Sequence, residues 1–346
     1  MNVSPHEHDH AHQPSPAGPD AADPQDAQRP DDAADPGLFG PDSVSWRVMA
    51  DPAFAFGGLR ALFLQALYPR AMAGLAQNSD LSAPPWSRLL RTARYVHTVT
   101  YGTSEQAQQA AARVRAIHRA LWGRDPDNGR PFRLDDPQAL LWVHVAMAES
   151  FLSTARRAGL SLSADETDRF YREQVLAAQL VGLDPAAVPA TAAQVARYFE
   201  QIRPQLRLTP QAAQAARLLL WPPMNAKARL YGARAGWLAL SSTAFGLLPR
   251  WARRLYRLPA LPGADLPPVA TARLLRTAAA TLPTPLRRGS PMLQEARART
   301  GAVAADRAAT GDQRSAPLVR GASPARPPKP LPNPGAGRGR TAASTA

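Results

Sequence analysis

The sequence predicts an all-α domain over about residues 45–300, with a disordered tail on either side. Apolar residues recur at helical spacing in one segment after another, and capping residues precede several of these segments. No stretch alternates between apolar and polar residues as a half-buried strand would require. The 36 prolines are denser toward the two ends of the 346-residue chain, and proline is unfavourable inside helices.

Composition predicts that both ends of the chain are disordered. Residues 1–40 form an acidic, histidine-rich leader with eight acidic residues and one arginine, and residues 301–346 form a Pro/Arg-rich tail with seven basic and two acidic residues. Neither segment has enough large apolar side chains to offset the entropy that ordering would cost. The leader contains the motif HEHDHAH, whose alternating histidines could bind Zn²⁺, Ni²⁺ or Cu²⁺ weakly. We interpret this motif as part of a tail with no specific role.

Charge and residue usage limit the classes of partner. The formal charge is +14, and residues 41–300 remain strongly basic when both tails are left out. Such a surface favours anionic partners: acidic lipid headgroups, nucleic acid, or carboxylates in a pocket. Without cysteine, the chain cannot form disulfides, thiolate-ligated haem, or cysteine-bound zinc and iron–sulfur sites. No apolar run approaches the roughly 20 residues of a membrane span, and no signal-peptide pattern is present. We therefore expect a cytoplasmic protein whose basic surface could contact a membrane.

The domain opens with a predicted helix over residues 60–68, which have apolar residues at helical spacing. Pro69 is expected to end this helix. A segment rich in alanine and glycine follows. Residues 78–86 are then predicted to be a loop, because they contain asparagine, serine, aspartate and paired prolines.

Two long helices are predicted next. Ser87 can cap a helix over residues 88–100, and Gly102 follows as a breaker. Ser104 can cap a second helix over residues 105–122, whose first turn contains a glutamate where the helix dipole favours negative charge.

The second half of the domain repeats these signals. Residues 123–137 read as a loop, and Asp136 followed by Pro137 is typical of a helix N-cap and first helical position. That helix is expected to end at Gly159. A serine cap with an acidic first turn opens the next helix, which is expected to end at Gly182.

The last part of the domain is also predicted to be helical. Two capped amphipathic helices are expected within residues 190–202 and 209–221. Residues 228–257 are apolar and contain glycine, which indicates one or two buried helices. Residues 275–300 are expected to add a last short helix or two.

Three histidines remain for the folded body, His97, His118 and His144. Because cysteine is absent, a protein ligand that binds iron strongly would be one of these three. His118 has Arg115 three residues before it, and this spacing puts the two side chains next to each other on one helix face. A histidine for iron and an arginine for a carboxylate are the pair that a haem site needs. The alternative is a core histidine that is hydrogen-bonded to a backbone carbonyl.

A second candidate set lies on the preceding predicted helix. Arg88, Arg91 and Thr92 stand at positions i, i+3 and i+4, so one helix face carries two guanidinium groups and a hydroxyl. This face suits a haem propionate or a bound oxygen species, because arginine binds carboxylate through two parallel N–H groups. The alternative is a solvated basic face.

Other candidates have weaker signals. His144 lies on an apolar helix face, where it is either a hydrogen-bonded core residue or a group on the other side of a haem. His97 is interpreted as a polar residue without a functional role. Glu149 could accept a proton, although a capped or ion-paired surface glutamate is the preferred interpretation. Four aromatic residues could line a pocket, although most are expected in the core: Trp86, Trp122, Trp142 and Phe151.

Several segments, in order, resemble a family of haem-dependent oxygenases that includes bacterial latex clearing protein (rubber oxygenase) and the MpaB enzymes. Over about residues 46–260 these segments are LFLQALYP, PWSRLLRTARYVHTVTYGTSEQA, VRAIHRALWG, DPQALLWVHVAMAESFL, LSADETDRFYREQ, VGLDPAAVPATAAQVARYF and LPRWARRLYRLP. The resemblance implies a globin-like multi-helix bundle that holds haem b non-covalently. The better-studied members use O₂ to cleave carbon–carbon double bonds in polyprenyl chains.

The resemblance also implies residue roles. His118 matches the histidine that is the proximal iron ligand in latex clearing protein, and Arg115 matches the arginine one turn before it. Arg88, Arg91 and Thr92 match an Arg-x-x-Lys-Thr motif whose lysine lies on the distal side of the haem in one state. Here Arg91 replaces the lysine, and arginine is a poor iron ligand because it stays protonated. A resting state closed by lysine is therefore not expected.

Two features depart from the family pattern. Tyr68 stands where many relatives have histidine, which weakens any role for this position. No residue here matches the carboxylate that is the proposed catalytic base of the rubber enzyme.

Together these observations predict a haem b-dependent oxygenase that acts with O₂ on an apolar substrate of isoprenoid or lipid-like character. The predicted roles are axial iron ligand for His118, cofactor binding for Arg115 and Arg88, and catalysis for Arg91, Thr92 and His144. The alternative is a non-catalytic haem- or lipid-binding protein of the same fold. A specific nucleic-acid partner is not expected, because no helix-turn-helix or other reading motif is present.

Overall fold

The computed structural model describes residues 35–80, 85–225, 232–257, 263–281 and 290–309. Within these residues the all-α prediction is confirmed. The helices are α1 Val44–Met49, α2 Phe54–Gln65, α3 Pro69–Gln77, α4 Trp86–Tyr101, α5 Ser104–Ala120, α6 Pro137–Arg157, α7 Ala164–Leu180, α8 Ala192–Ile202, α9 Pro210–Leu220, α10 Ala233–Gly246, α11 Arg250–Leu255, α12 Leu266–Thr281 and α13 Pro291–Ala309. Two 3₁₀ turns, Pro185–Ala187 and Arg203–Gln205, follow α7 and α8.

The predicted disordered tails fall mostly outside the described residues, and so does the HEHDHAH motif. Residues 35–40 form turns, in which Asp35 accepts hydrogen bonds from the Gly37 N–H and from the Ser104 N–H at the start of α5. At the other end, α13 continues to Ala309.

Several predicted caps are confirmed. The Asp136 carboxylate accepts a hydrogen bond from the Ala139 N–H, with Pro137 in the first turn of α6. Ser163 and Glu166 form a reciprocal capping box at the start of α7. Gly159 and Gly182 follow α6 and α7 with φ of 109° and 97°, a backbone conformation that glycine adopts without strain.

Three local predictions were wrong. Pro69 does not stop a helix; it is the first residue of α3, where its missing N–H removes no helical hydrogen bond. Ser87 is not a cap, because α4 begins one residue earlier and has Pro85 at its N-cap position without a side-chain cap. At α5 the cap is Thr103, which forms a capping box with Gln106, rather than Ser104.

The predicted loop over residues 123–137 contains a small antiparallel ribbon. Strands β1 Trp122–Arg124 and β2 Pro131–Arg133 pair with Gly123 opposite Phe132. A side chain at position 123 would lie 2.8 Å from the Phe132 ring, so glycine lets the two strands face each other. Strands of three residues are too short for a recognisable alternation of apolar and polar residues, so this ribbon could not be predicted from the sequence.

The core is organised around the packing of α2 on α6. Gly57 lies against Phe151, and a Cβ at position 57 would be 2.8 Å from the Phe151 ring, so the two helices approach more closely than larger residues allow. Trp142 of α6 is fully buried, and its ring packs edge-on against Phe199 of α8. The main apolar cluster extends from this contact to α1, α4, α7, α10 and α11.

An ion pair crosses the same contact. The Arg60 side chain is 2% exposed; its Nη1 donates to the Glu149 carboxylate at 2.6 Å and to the Ser150 hydroxyl at 2.7 Å. The Arg60 Nε donates to the Leu247 carbonyl, which ties the end of α10 to α2. This pairing confirms the interpretation of Glu149 as an ion-paired residue.

Residues 228–257 were expected to be buried, and this is only partly correct. The second half of α10 is buried, whereas its first half, including Ala235, Gly236 and Leu238, is exposed. Over the residues that the structure describes, no helix combines the length and apolarity needed to cross a bilayer.

We expect Glu149→Ala to lower the free energy of unfolding by about 3 kcal/mol, because it leaves the Arg60 charge buried without a partner. Urea unfolding followed by circular dichroism measures this change. Arg133→Ala is the control: its ion pair with Asp135 is exposed, so its loss should change the free energy of unfolding far less. Similar losses in the two variants would contradict a structural role for the Arg60–Glu149 pair.

Candidate functional site

The predicted site residues lie mostly on two consecutive helices, α4 and α5. Only Gly102 and Thr103 separate the helices, which pack on each other as a hairpin. The Thr103–Gln106 capping box fixes the start of α5, and Asp35 adds hydrogen bonds to the N–H and hydroxyl of Ser104. These hydrogen bonds therefore fix the turn between α4 and α5.

The inner face of α4 is more buried near the turn than in its first half. Val99 and Val96 are buried, but Thr92, one helical turn before Val96 on the same face, is exposed. Arg88, one further turn away, is half-buried.

The inner face of α5 shows the same gradient. Ala107 and Ala111 near the turn are fully buried, whereas Val114 and His118, further along this face, are half-buried. The facing sides of α4 and α5 are thus buried near the turn and partly exposed at the other end of the two helices. We call the halves of α4 and α5 away from the turn, which carry Arg88, Thr92 and His118, the open end of the hairpin.

His118 lies at the open end with a ring nitrogen that has no partner. Its Nδ1 atom is buried and makes no hydrogen bond. The structure therefore does not show the alternative considered from the sequence, in which His118 is a core residue hydrogen-bonded to a backbone carbonyl. Burial lowers the pKa of His118, and the Asp135 carboxylate opposes this effect more weakly. The imidazole is therefore neutral near pH 7 and keeps a lone pair for a metal.

Arg115 lies on the same face as predicted, but its guanidinium is already engaged. Its Nη1 donates to the Leu180 carbonyl at the end of α7. Burial raises the pKa of Tyr95 to about 12, and the nearby Arg115 opposes that rise. Arg115 therefore links α5 to α7 and lies close to α4.

Arg88, Arg91 and Thr92 occupy the first half of α4 as predicted. Burial lowers the pKa of Arg88, and the like charge of Arg91 adds to the effect. Arg91 and Thr92 are exposed. Two neighbouring guanidinium groups with solvent access can receive an anionic group.

His144 lies apart from this set. It is 6% exposed on α6, whose main packing partners are α2, α7, α1 and α3. Its imidazole makes no hydrogen bond to the residues that the structure describes. Burial lowers the pKa of His144 to about 4.

His97 belongs to an aromatic stack. Its ring lies 4.8 Å from the Phe54 ring at 29°, and Phe54 in turn stacks on Phe151 at the same distance. Burial lowers the pKa of His97. The packing accounts for this histidine without a ligand.

The four predicted pocket aromatics separate into three groups. Trp142 and Phe151 are core residues, and Trp122 is 56% exposed on β1. Trp86 lines a cleft of about 390 Å³ between α4 and α10, where its ring packs edge-on against Trp237. Apolar residues dominate this cleft, whose remaining lining residues are Met224, Asn225, Ala233, Gly236 and Leu240.

A second cleft, of about 530 Å³, lies beside the turn after α7. Its lining includes residues 185–190 and the polar side chains of Gln194, Arg197 and Tyr198. Neither cleft is lined by His118, Arg115 or Arg88.

Two residues near the site were not predicted. Asp135 carries the charge that acts on His118, and it is held by two hydrogen bonds from Arg133. The chain gave no signal for Asp135, because only the β1–β2 ribbon brings it near α5. Tyr95 could have been found, since it follows Arg88 by two helical turns and shares its face.

Tyr68, buried at the N-cap of α3, has its pKa raised by burial and by Asp136.

The donor set fits a haem. A buried, neutral and unpartnered imidazole suits an axial iron ligand. Arg88 on α4 suits a propionate, and so do the N–H groups of Arg115 that are not used in its bond to the Leu180 carbonyl. Among the residues that the structure describes, no cluster of three or more His, Asp or Glu side chains could hold a bare metal ion.

His144 should make the protein less stable as the pH falls. Its pKa is about 4 when folded and about 6.5 when unfolded. The unfolded state therefore binds a proton first, and stability falls from about pH 6.5 until about pH 4, by up to about 1.4 kcal/mol per pH unit. Urea unfolding at several pH values measures this slope. His144→Leu should flatten it, leaving the smaller contributions of His97 and His118; an unchanged slope in the variant would contradict the lowered pKa.

Comparison with known proteins places the chain in a family. Residues 46–289 match the family described as ER-bound oxygenase mpaB/B'/Rubber oxygenase, catalytic domain. No curated protein and no solved structure matches the chain significantly. The match covers well over half of the chain and spans α4, α5 and α6, which confirms the resemblance seen in the ordered segments. The chain belongs to the mpaB/rubber oxygenase catalytic-domain family, a family of oxygenases.

Proposed function

We propose that this protein is a haem b-dependent oxygenase that acts with O₂ on an apolar substrate, with His118 as the axial iron ligand. One observation carries the proposal: His118 presents a neutral imidazole with a buried, unpartnered nitrogen at the open end of the α4–α5 hairpin. A buried polar atom without a partner is costly in a folded protein. Iron binding would give a bonding partner to an imidazole that has an unpartnered nitrogen in the folded protein.

The chain's own residues have three tasks in this proposal. His118 on α5 would bind the iron, and Arg88 and Arg115 would bind the propionates. Arg91 and Thr92, which are exposed on α4, would donate hydrogen bonds to O₂ or to the polar part of a substrate. Haem b, when bound, supplies the iron that binds O₂ and carries the redox chemistry.

His144 remains the third proposed catalytic residue, with a narrower role. A pKa of about 4 keeps its imidazole neutral near pH 7, so it can accept a proton only from a group that reaches the interior beside α6. Asp135 is proposed to orient His118 in the way that carboxylates orient metal-bound histidines.

The apolar substrate is supported by the family and by the surface. The family description includes rubber oxygenase, and rubber is a hydrocarbon polymer. Leu90 on α4 is 71% exposed and Ile117 on α5 is also exposed, so large apolar side chains flank the arginines of the hairpin. Placement in the cytoplasm, with the basic surface able to contact a membrane, stays part of the proposal.

A non-catalytic lipid-binding protein is the second candidate. The apolar cleft between α4 and α10 favours it, because its volume of about 390 Å³ lies in the range of small-molecule sites. In that case an apolar ligand would bind beside Trp86 and Trp237 without reaction.

Visible absorption spectra test the haem proposal. We expect protein from haem-supplied cells to show a Soret band in proportion to the chain, and His118→Ala to lose most of it, because one bond holds the iron to the protein. His97→Phe is the matched control; phenylalanine can keep the stack on Phe54 while an imidazole is removed. Equal Soret bands in His118→Ala and wild type would refute His118 as the ligand.

Oxygen uptake separates the two candidate functions. Haem-loaded protein should consume O₂ in the presence of a polyprenyl or unsaturated lipid, and Arg91→Ala should lower the rate by about 10-fold or more while keeping the Soret band. A haem-loaded protein that binds such a lipid without consuming O₂ would favour the non-catalytic alternative.

A further inference from the structure

The first half of α10 presents apolar residues to solvent. Ala235, Gly236 and Leu238 are exposed there, and Trp237 is half-buried. Trp221, which directly follows α9, is also exposed. A helix of a folded domain normally turns its apolar residues toward the core, so an exposed group of large apolar side chains usually marks an interaction site.

The exposed residues of α9 and α10 are in contact with each other. The Arg234 guanidinium lies 4.4 Å from the centre of the Trp221 ring, and Leu238 follows Arg234 by one helical turn on the same face of α10. Arg217, which is exposed, stands one turn before Trp221, and its carbonyl accepts a hydrogen bond from the Trp221 N–H. Two large apolar side chains and two arginines thus lie together.

The same surface continues onto α4. The rings of Trp237 and Trp86 are 4.7 Å apart, and both line the apolar cleft of about 390 Å³ between α10 and α4. Leu90 stands one helical turn after Trp86 and is exposed. We call this continuous surface the tryptophan face; it consists of Trp86, Leu90, Arg217, Trp221, Arg234, Trp237 and Leu238.

The segments that form the tryptophan face are positively charged. Residues 201–264 contain ten lysines and arginines and no aspartate or glutamate, and residues 81–104 contain three arginines and again no acidic residue. Four of these arginines form no ion pair among the residues that the structure describes: Arg91, Arg94, Arg217 and Arg234. Their charges are therefore available to an anionic partner.

We propose that the tryptophan face docks on a lipid bilayer that contains anionic headgroups. Tryptophan favours the boundary between headgroups and acyl chains, and exposed leucines beside it can enter the apolar layer. Arginines near anionic headgroups add electrostatic attraction. Nucleic acid could pair with the same arginines, but it offers the exposed leucines no apolar environment. The combination of tryptophan, leucine and unpaired arginine therefore favours the bilayer.

This inference deepens the proposed function, which includes contact of the basic surface with a membrane. Trp86 stands two residues before Arg88, so the tryptophan face borders the open end of the hairpin. Docking would place both the apolar cleft and the open end beside the lipid phase. An apolar substrate dissolved in the bilayer would then reach the protein without crossing water.

Sedimentation with lipid vesicles tests the tryptophan face. The full-length protein is mixed with vesicles of phosphatidylcholine, with or without phosphatidylglycerol as the anionic lipid. The wild type should bind the anionic vesicles about 10-fold or more tightly than the neutral ones, because the arginines contribute to binding. Leu238→Glu should weaken binding to the anionic vesicles by about 10-fold or more, because it puts a negative charge into the apolar part of the face.

Leu176→Glu is the matched control. Leu176 on α7 is 41% exposed, against 37% for Leu238, and it also follows an exposed arginine, Arg172, by one helical turn. The same substitution there should leave vesicle binding unchanged. Arg217→Glu reverses an exposed charge of the tryptophan face, so it should also weaken binding, and it provides the test if Leu238→Glu does not fold.

Several results would overturn the proposal. The wild type could fail to bind anionic vesicles or bind both kinds equally, or Leu238→Glu could fold and bind as the wild type does. Tighter binding to duplex DNA than to anionic vesicles would assign the charge to nucleic acid. A wild-type dimer that Leu238→Glu abolishes would show that a second copy of the chain covers the face.

A Soret band recorded on the same samples separates this inference from the haem proposal. Protein that binds anionic vesicles but contains no haem would support docking and contradict the oxygenase. Haem-loaded protein that stays in the supernatant would contradict docking and leave the oxygenase in place. Leu238→Glu should keep the wild-type Soret band, because the substitution lies outside the proposed haem site.

Discussion

The close contact between α2 and α6 is the constraint on which the rest of the fold depends. It needs glycine at position 57, where Phe151 leaves no room for a side chain, and it carries the Arg60–Glu149 ion pair through the middle of the interface. Arg60 also donates to the carbonyl of Leu247, the residue that follows α10. The same contact therefore fixes the end of α10, where the chain continues toward α11. A buried ion pair adds orientation more than net stability, since its desolvation offsets much of its attraction.

Features encoded by neighbouring residues could be predicted from the sequence. Asp136 and Ser163 cap their helices through side-chain bonds to the next turn, so a short segment contains the whole signal. The errors arose where distant segments decide. Pro69 fits both the end of one helix and the start of another, and only the packing of α3 on β1 and α9 settles which. The exposed first half of α10 has an apolar sequence, and hydrophobicity alone could not reveal its exposure.

The candidate site was predictable to the same extent. Helical spacing placed Arg115 with His118, and Arg88 with Thr92, on common faces, because the period of an α-helix is fixed. The distance between these faces of α4 and α5 depends on how the two helices pack in the hairpin. The hydrogen-bond partner of each side chain depends on contacts with residues that are distant in the sequence. That is why the bond from Arg115 to the Leu180 carbonyl and the charge of Asp135 beside His118 could not be foreseen.

Helix α5 contributes no side chain to the main apolar cluster in the part of the chain that the structure describes. The helix that carries His118 is therefore built onto a core that is complete without it. A prosthetic group entering between α4 and α5 would displace solvent at the open end rather than packed core residues. With haem as the proposed cofactor, maturation would then have two separate stages: the polypeptide would fold first, and the existing scaffold would acquire the cofactor afterwards.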